Sequence, residues 1–174
     1  MRNILVVCRT NAVMSPIVAA LLKARAKGSW RVWSAGSEPA LRTNPYTFAV
    51  LKEAGIPLEP EHRPVDWHSF AGAGAPRLEV VLTVSEDVAW EAMPRWNGVP
   101  RLVHWAFPDP LAVTSTASER LGLIRAWRDL AEAKVNAFLL EENVQVRARA
   151  SANDNRGPIL ERGADLGRPR IVGL

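Results

Sequence analysis

The amino-acid sequence predicts an α/β domain over residues 1–142, built as a doubly wound, four-stranded parallel sheet with helices on both faces. Two observations carry this reading. Short apolar runs, the first at Ile4-Leu5-Val6-Val7, alternate with segments of helical spacing, and strands covered on both faces read as continuous apolar runs. Two helical segments also open on a polar residue followed by proline, Ser15-Pro16 and Asn44-Pro45, which repeats a strand, loop and helix unit.

The first strand ends at Cys8. Ser15 reads as a helix N-cap with Pro16 behind it, and Ile17-Val18-Ala19-Ala20-Leu21-Leu22 carries the helix toward Gly28 as its stop. Residues 31–34 form a second strand closed by Ala35-Gly36, and the Asn44-Pro45 helix ends at Gly55. Residues 78–84 are a third strand, 86–92 a short helix and 101–104 a fourth strand. A loop with Phe107-Pro108-Asp109-Pro110 follows. Thr116 and Glu119 then make a capping box, and Leu121, Ile124, Trp127, Ala131, Val135 and Phe138 recur at the spacing of an amphipathic helix ending near Glu142. From Asn143 to Leu174 the composition turns to Arg, Asn, Asp, Gly and Pro, as expected of a flexible C-terminal tail.

A chain of 174 residues with 48% hydrophobic content buries a core without staples. Cys8 is the only cysteine, which excludes an intramolecular disulfide and any redox cycle among cysteines of one chain, and suits a reducing compartment. The N-terminal apolar run is too short for a signal peptide, and no stretch approaches the ~18 apolar residues of a membrane span, so a cytoplasmic protein with no membrane partner is expected. The net charge of +4 comes from scattered basic residues without interleaved aromatics, which speaks for a mildly basic surface and against a nucleic-acid partner.

In open parallel sheets the ligand site lies beyond the carboxyl ends of the strands, where strand order reverses. Cys8 and Asp109 each follow a strand and share that edge. Between a strand end and a helix start, backbone N–H groups and the helix dipole converge on Cys8, an environment that lowers a thiol pKa and favours the nucleophilic thiolate. Ser15 is placed to donate a hydroxyl to the sulfur. Pro108 and Pro110 hold the Asp109 carboxyl on a stiff loop, as a general acid requires, although Asp-Pro sequences also make simple Asx turns. His62, His68 and His104 lack metal-ligand spacing, so no metal and no cofactor are expected. Trp33, Trp105 and Trp127 read as packing residues, and Trp67, Trp90 and Trp96 as a potential wall for an aromatic substrate.

The run Cys8-Arg9-Thr10-Asn11-Ala12-Val13-Met14-Ser15-Pro16 resembles the phosphate-binding loop of the low-molecular-weight protein tyrosine phosphatases and of the arsenate reductases built on that fold. Ser34-Ala35-Gly36, Asn44, Ala54-Gly55-Ile56, His62-Arg63-Pro64, Val81-Leu82-Thr83-Val84 and the stretch from His104-Trp105 to Asp109-Pro110 follow in family order, the last closer to the reductases. The resemblance spans residues 3–140. It implies Cys8 as nucleophile, Asn11 as the residue shaping the loop, Ser15 as the thiolate's partner and Asp109 as general acid. Arg9, Thr10, Asn11, Ala12, Val13, Met14 and Ser15 would line an oxyanion.

Four departures stand out. The family loop reads Cys-x5-Arg, and Met14 occupies the arginine position, where a thioether cannot supply a guanidinium's two-pronged grip. Ser85 falls where thioredoxin-coupled arsenate reductases place a resolving cysteine. Thr10 replaces a small residue, and Ala19 stands near the glutamate that helps the reductases hold potassium. Arg9 and Arg63 are the candidates to replace the missing guanidinium. Three functions remain open: a weakly active phosphatase acting on a phosphorylated protein or small phosphomonoester, an arsenate reductase-like enzyme using an external thiol, and an inactive member that binds phosphate, sulfate, an arsenate-like oxyanion or a protein.

Overall fold

The computed structural model describes residues 1–56, 58–112 and 116–154. Its strands are β1 (Arg2–Cys8), β2 (Trp30–Gly36), β3 (Val80–Thr83) and β4 (Arg101–His104), and its helices are α1 (Met14–Arg25), α2 (Pro45–Glu53), α3 (Glu86–Ala89) and α4 (Ala117–Asp154), with a 3-10 turn at Trp67–Phe70. All strand pairings are parallel and the order is β2-β1-β3-β4, so the order reverses between β1 and β3. The four-stranded parallel α/β architecture is the one the sequence predicts.

Alternation along the strands divides the core. Ile4, Val6, Val80 and Leu82 face α1, α2 and α4, where they pack with Ile17, Leu21, Leu51, Ile124 and Trp127. Leu5, Val7 and Val81 face the other way, onto Trp67 and Phe70 of the 3-10 turn and Val88 of α3. Both faces of β1 and β3 are thereby dry, which is why their sequences are unbroken apolar runs.

Local signals worked at most boundaries. Asn44 caps α2, its Oδ1 accepting from Tyr46 N–H at 3.0 Å, and Gly55 ends that helix with φ +67, a left-handed position glycine adopts freely. Thr116 and Glu119 exchange both bonds of the capping box: Glu119 Oε2 accepts from Thr116 N–H at 2.7 Å, and Glu119 N–H donates to Thr116 Oγ1 at 3.3 Å. Helix α1 differs from expectation. It begins at Met14 with Val13 in the cap position and no side-chain cap, and it ends at Arg25. Ser15 lies inside the helix. Helix α4 runs past Glu142 to Asp154, because Gln145, Arg147, Ala148, Arg149 and Ala150 are good helix formers. The rest of the expected tail, including Ile171 to Leu174, lies outside the described residues. Among the described residues, no helix is long and apolar enough to cross a membrane.

Trp127 is 3% exposed and packs edge-on against Phe107 with ring centroids 5.1 Å apart, while its indole N–H has no partner among the described residues. Trp127→Ala is expected to cost ~3–5 kcal/mol in urea denaturation. Trp127→Phe should cost clearly less, since it removes an unsatisfied N–H together with the lost volume.

Candidate functional site

The loop of residues 9–13 joins β1 to α1, and its shape follows from where its carbonyls go. Ser37 N–H donates to Cys8 O (3.3 Å), Glu38 N–H to Arg9 O (2.9 Å) and Ala40 N–H to Thr10 O (2.9 Å). Asn44 N–H (3.1 Å) and the Thr47 hydroxyl (2.8 Å) both donate to Ala12 O. With the carbonyls drawn outward by the segment after β2, amide N–H groups turn inward, and those of Thr10, Asn11 and Ser15 face the Cys8 sulfur. Gly36 makes this approach feasible. A Cβ there would stand 2.5 Å from Arg9 O and 3.0 Å from Asn11 N.

Asn11 is fully buried at φ +50, a left-handed conformation that asparagine tolerates better than most non-glycine residues. Its backbone N–H points at Cys8 Sγ (3.3 Å), its Oδ1 accepts from Val65 N–H (2.9 Å), and its Nδ2 donates to Ser15 Oγ (2.7 Å). Ser15 Oγ lies 3.0 Å from Cys8 Sγ and 3.3 Å from Ala35 O. The expected helix cap is therefore corrected. Ser15 leaves the α1 N–H groups to the loop, because its hydroxyl is committed to the sulfur, to Asn11 and to the Ala35 carbonyl.

A cavity of about 470 Å³ opens over this cradle at the β1/β3 reversal, drawing Cys8, Thr10, Val13 and Met14 from the loop, Ser85, Glu86 and Asp87 from the end of β3, and Phe107, Asp109 and Leu111 from beyond β4. Cys8 and Asp109 thus share one cavity. Asp109 makes its Asx turn as well, Oδ1 accepting from Leu111 N–H at 2.8 Å, so the turn is what presents the carboxyl.

The cations sit elsewhere. Arg9 borders the cavity, but its guanidinium grips Glu38 through Nε (3.0 Å) and Nη2 (2.9 Å), with Asp87 at 3.7 Å, and Glu38 holds its pKa further above the ordinary range. Arg63 lines a different cavity with Lys23, Glu59 and His62, in which Ala19 stands without a carboxylate of its own. Arg63 thus lies outside the Cys8 cavity, and Arg9 at its border is engaged with Glu38. Met14 is buried and belongs to the core cluster while bordering the Cys8 cavity. Three carboxylates, Glu86, Asp87 and Asp109, border the same space.

Burial dominates the Cys8 thiol and pushes its pKa up, while the Ser15 hydroxyl and the N–H groups of Ser15, Asn11 and Thr10 pull it down without offsetting that. This direction is opposite to the lowering expected from the strand-end position. Dipoles alone do not match the desolvation of a buried anion when the loop cation is missing.

Some residues of this arrangement escaped the sequence reading. Glu38 and Val65 act on the loop from positions remote in sequence, Gly36 was read only as the close of a strand and a family match, and Glu86 and Asp87 only as part of a short helix. The three histidines are paired: His62 Nδ1 with Thr43 Oγ1, His68 Nδ1 with Asp66 Oδ1 and His104 Nδ1 with Thr83 Oγ1, each at 2.8 Å. Trp105 and Trp127 are core residues, and Trp33 packs beside the second cluster. The aromatic wall is not formed. Trp67 is buried edge-on against Trp96 with centroids 6.0 Å apart, Trp90 is 90% exposed, and the aromatic ring on the Cys8 cavity is Phe107.

Because the raised pKa keeps Cys8 protonated at neutral pH, alkylation by iodoacetamide should be slow at pH 7 and accelerate only above the ordinary thiol range. Mass spectrometry of the modified chain across a pH series measures this. A plateau already reached at neutral pH would show that the cradle outweighs burial.

No curated protein sequence matches this chain. Among solved structures, an arsenate reductase in its phosphate-binding state is 20% identical with a TM-score of 0.64, over 81% of this chain and 98% of its own. The arsenate reductase of Archaeoglobus fulgidus is 22% identical with a TM-score of 0.56, over 76% and 98%. The YwlE arginine phosphatase of Geobacillus stearothermophilus is 23% identical with a TM-score of 0.55, over 84% and 95%. At such identities these likenesses establish the fold. The sequence profile of the low molecular weight phosphotyrosine protein phosphatases reaches further, matching residues 3–149, and the chain belongs to that family.

Proposed function

We propose that this protein is a phosphomonoesterase with slow turnover, working through a cysteinyl-phosphate. The observation that carries the proposal is the Cys8 sulfur, held by the Ser15 hydroxyl at 3.0 Å and the Asn11 N–H at 3.3 Å in the cavity that Asp109 also lines. In the first step the Cys8 thiol loses its proton to solvent, the thiolate forms a bond to phosphorus as the bond to the leaving oxygen breaks, and Asp109 gives that oxygen its proton. In the second, Asp109 takes a proton from water, whose oxygen displaces the sulfur and releases inorganic phosphate. The inward N–H groups and the start of α1 hold the phosphoryl oxygens. A phosphorylated protein or a small phosphomonoester fits as substrate, and a cytoplasmic location suits a lone reduced cysteine.

Two features slow the cycle. Met14 offers no donor to the equatorial oxygens, and the thiol must lose its proton before it attacks. A second reading, an oxyanion-binding protein without turnover, is favoured by Met14 and Thr10 on the cavity wall and by the ion pair that ties Arg9 to Glu38, which leave the loop without a free cation for the transfer step. The reductase reading requires a thiol from another molecule, Cys8 being the sole cysteine.

An arginine that meets a phosphoryl transition state is worth ~10³–10⁵-fold where measured in other phosphoryl-transfer enzymes, or ~4 to 7 kcal/mol of barrier. Met14→Arg should raise kcat/KM on an aryl phosphate by ~10²-fold or more. The gain should vanish when Cys8→Ser is added and shrink with Asp109→Asn. In the wild type, kcat/KM should climb with pH through and beyond neutrality, since deprotonation of a thiol with a raised pKa limits attack. Met14→Arg should move that rise to lower pH. Tighter phosphate binding by Met14→Arg with no gain in turnover would select the second reading.

A further inference from the structure

Ser85 stands between β3 and α3, in the position where a serine ordinarily caps the following helix, yet it makes no side-chain cap bond. Its Oγ is buried and without a hydrogen-bond partner among the described residues, and the residue is only 8% exposed. Three other buried atoms share that condition, the indole nitrogens of Trp67, Trp96 and Trp127, but none of those residues lines the cavity over Cys8. Ser85 does. The β1–β3 ladder explains its place: Val7 pairs with Thr83, and Val84 N–H donates to Val7 O at 2.9 Å, which carries Ser85 alongside the first residue of the Cys8 loop.

A buried hydroxyl with no partner destabilises the empty protein relative to an apolar residue of the same shape, and an acceptor entering the cavity would satisfy it. No charged side chain around the cavity fills the gap left at Met14. Arg9 is held by Glu38, and the other charged residues on the lining are carboxylates, which accept and do not donate. We propose that the Ser85 hydroxyl donates a hydrogen bond to a tetrahedral oxyanion seated over Cys8, as a neutral donor in a site without arginine. This rests on reading the Cys8 loop as an oxyanion site, and it adds β3 to the elements that hold the ligand.

Calorimetric titration of the full chain with inorganic phosphate, for wild type, Ser85→Ala and Ser85→Thr, together with melting of each protein without ligand, tests the assignment. Ser85→Ala should weaken phosphate binding ~10-fold or more, as expected for loss of a hydrogen bond to a charged group. Ser85→Thr, which keeps the hydroxyl, should stay within about 3-fold of wild type. Without phosphate, Ser85→Ala should melt at or above the wild-type temperature, because it removes an unpartnered polar atom. Equal phosphate affinity in wild type and Ser85→Ala would overturn the role of Ser85 and leave the oxyanion site standing, as would a Ser85→Thr that binds as weakly as alanine. A clearly lower melting temperature for ligand-free Ser85→Ala would place the hydroxyl's partner inside the protein and likewise refute the assignment. A wild type that binds no phosphate at all would remove both readings together.

Discussion

The loop at Cys8 hangs on one buried side chain. Asn11 is left-handed, and its amide ties Val65 on one side to Ser15 on the other while its own N–H turns to the sulfur. Each of these bonds fixes a different element: the strap before the 3-10 turn, the first turn of α1 and the Cys8 sulfur. A buried network of this kind holds its geometry when every member is satisfied and fails when one is not. The inward turn of the amides and the spacing of Cys8 from Ser15 follow from that arrangement, together with the outward-bonded carbonyls.

Electrostatically the site is a frame separated from its charge. Amide dipoles and a helix start supply a modest positive potential, which does not overcome the burial of Cys8. The nearest guanidinium is already neutralised by Glu38, and the cavity rim carries carboxylates. Geometry and charge, coupled in a complete loop, come apart in this chain.

Much of the fold was legible because its signals are local. The capping box at Thr116, the Asn44 cap and the Gly55 stop are written within four residues of where they act, and the apolar runs at β1 and β3 mark strands buried on both faces. Ser15-Pro16 misled because a serine before a proline imitates a cap, whereas the true start of α1 presents its N–H groups to the loop. The gathering of Cys8, Asn11, Ser15 and Asp109 in one place was legible, and the energetics there were not. That Arg9 would turn to Glu38, that Gly36 must lack a Cβ, and that burial would outweigh the dipoles at Cys8 all depend on contacts between segments distant in sequence. The length of α4 was underestimated because a polar composition was taken for a flexible one, although Ala, Arg and Gln favour helix.

Met14 is part of the hydrophobic core as well as the cavity wall. An arginine in that position would be a sequestered cation, stabilised when an anion enters and costly when the loop is empty, so the folded population would be linked to the anion concentration around it. A thioether breaks much of that linkage. Met14 packs whether or not the loop is filled, and the domain becomes more nearly indifferent to how much phosphate its surroundings contain.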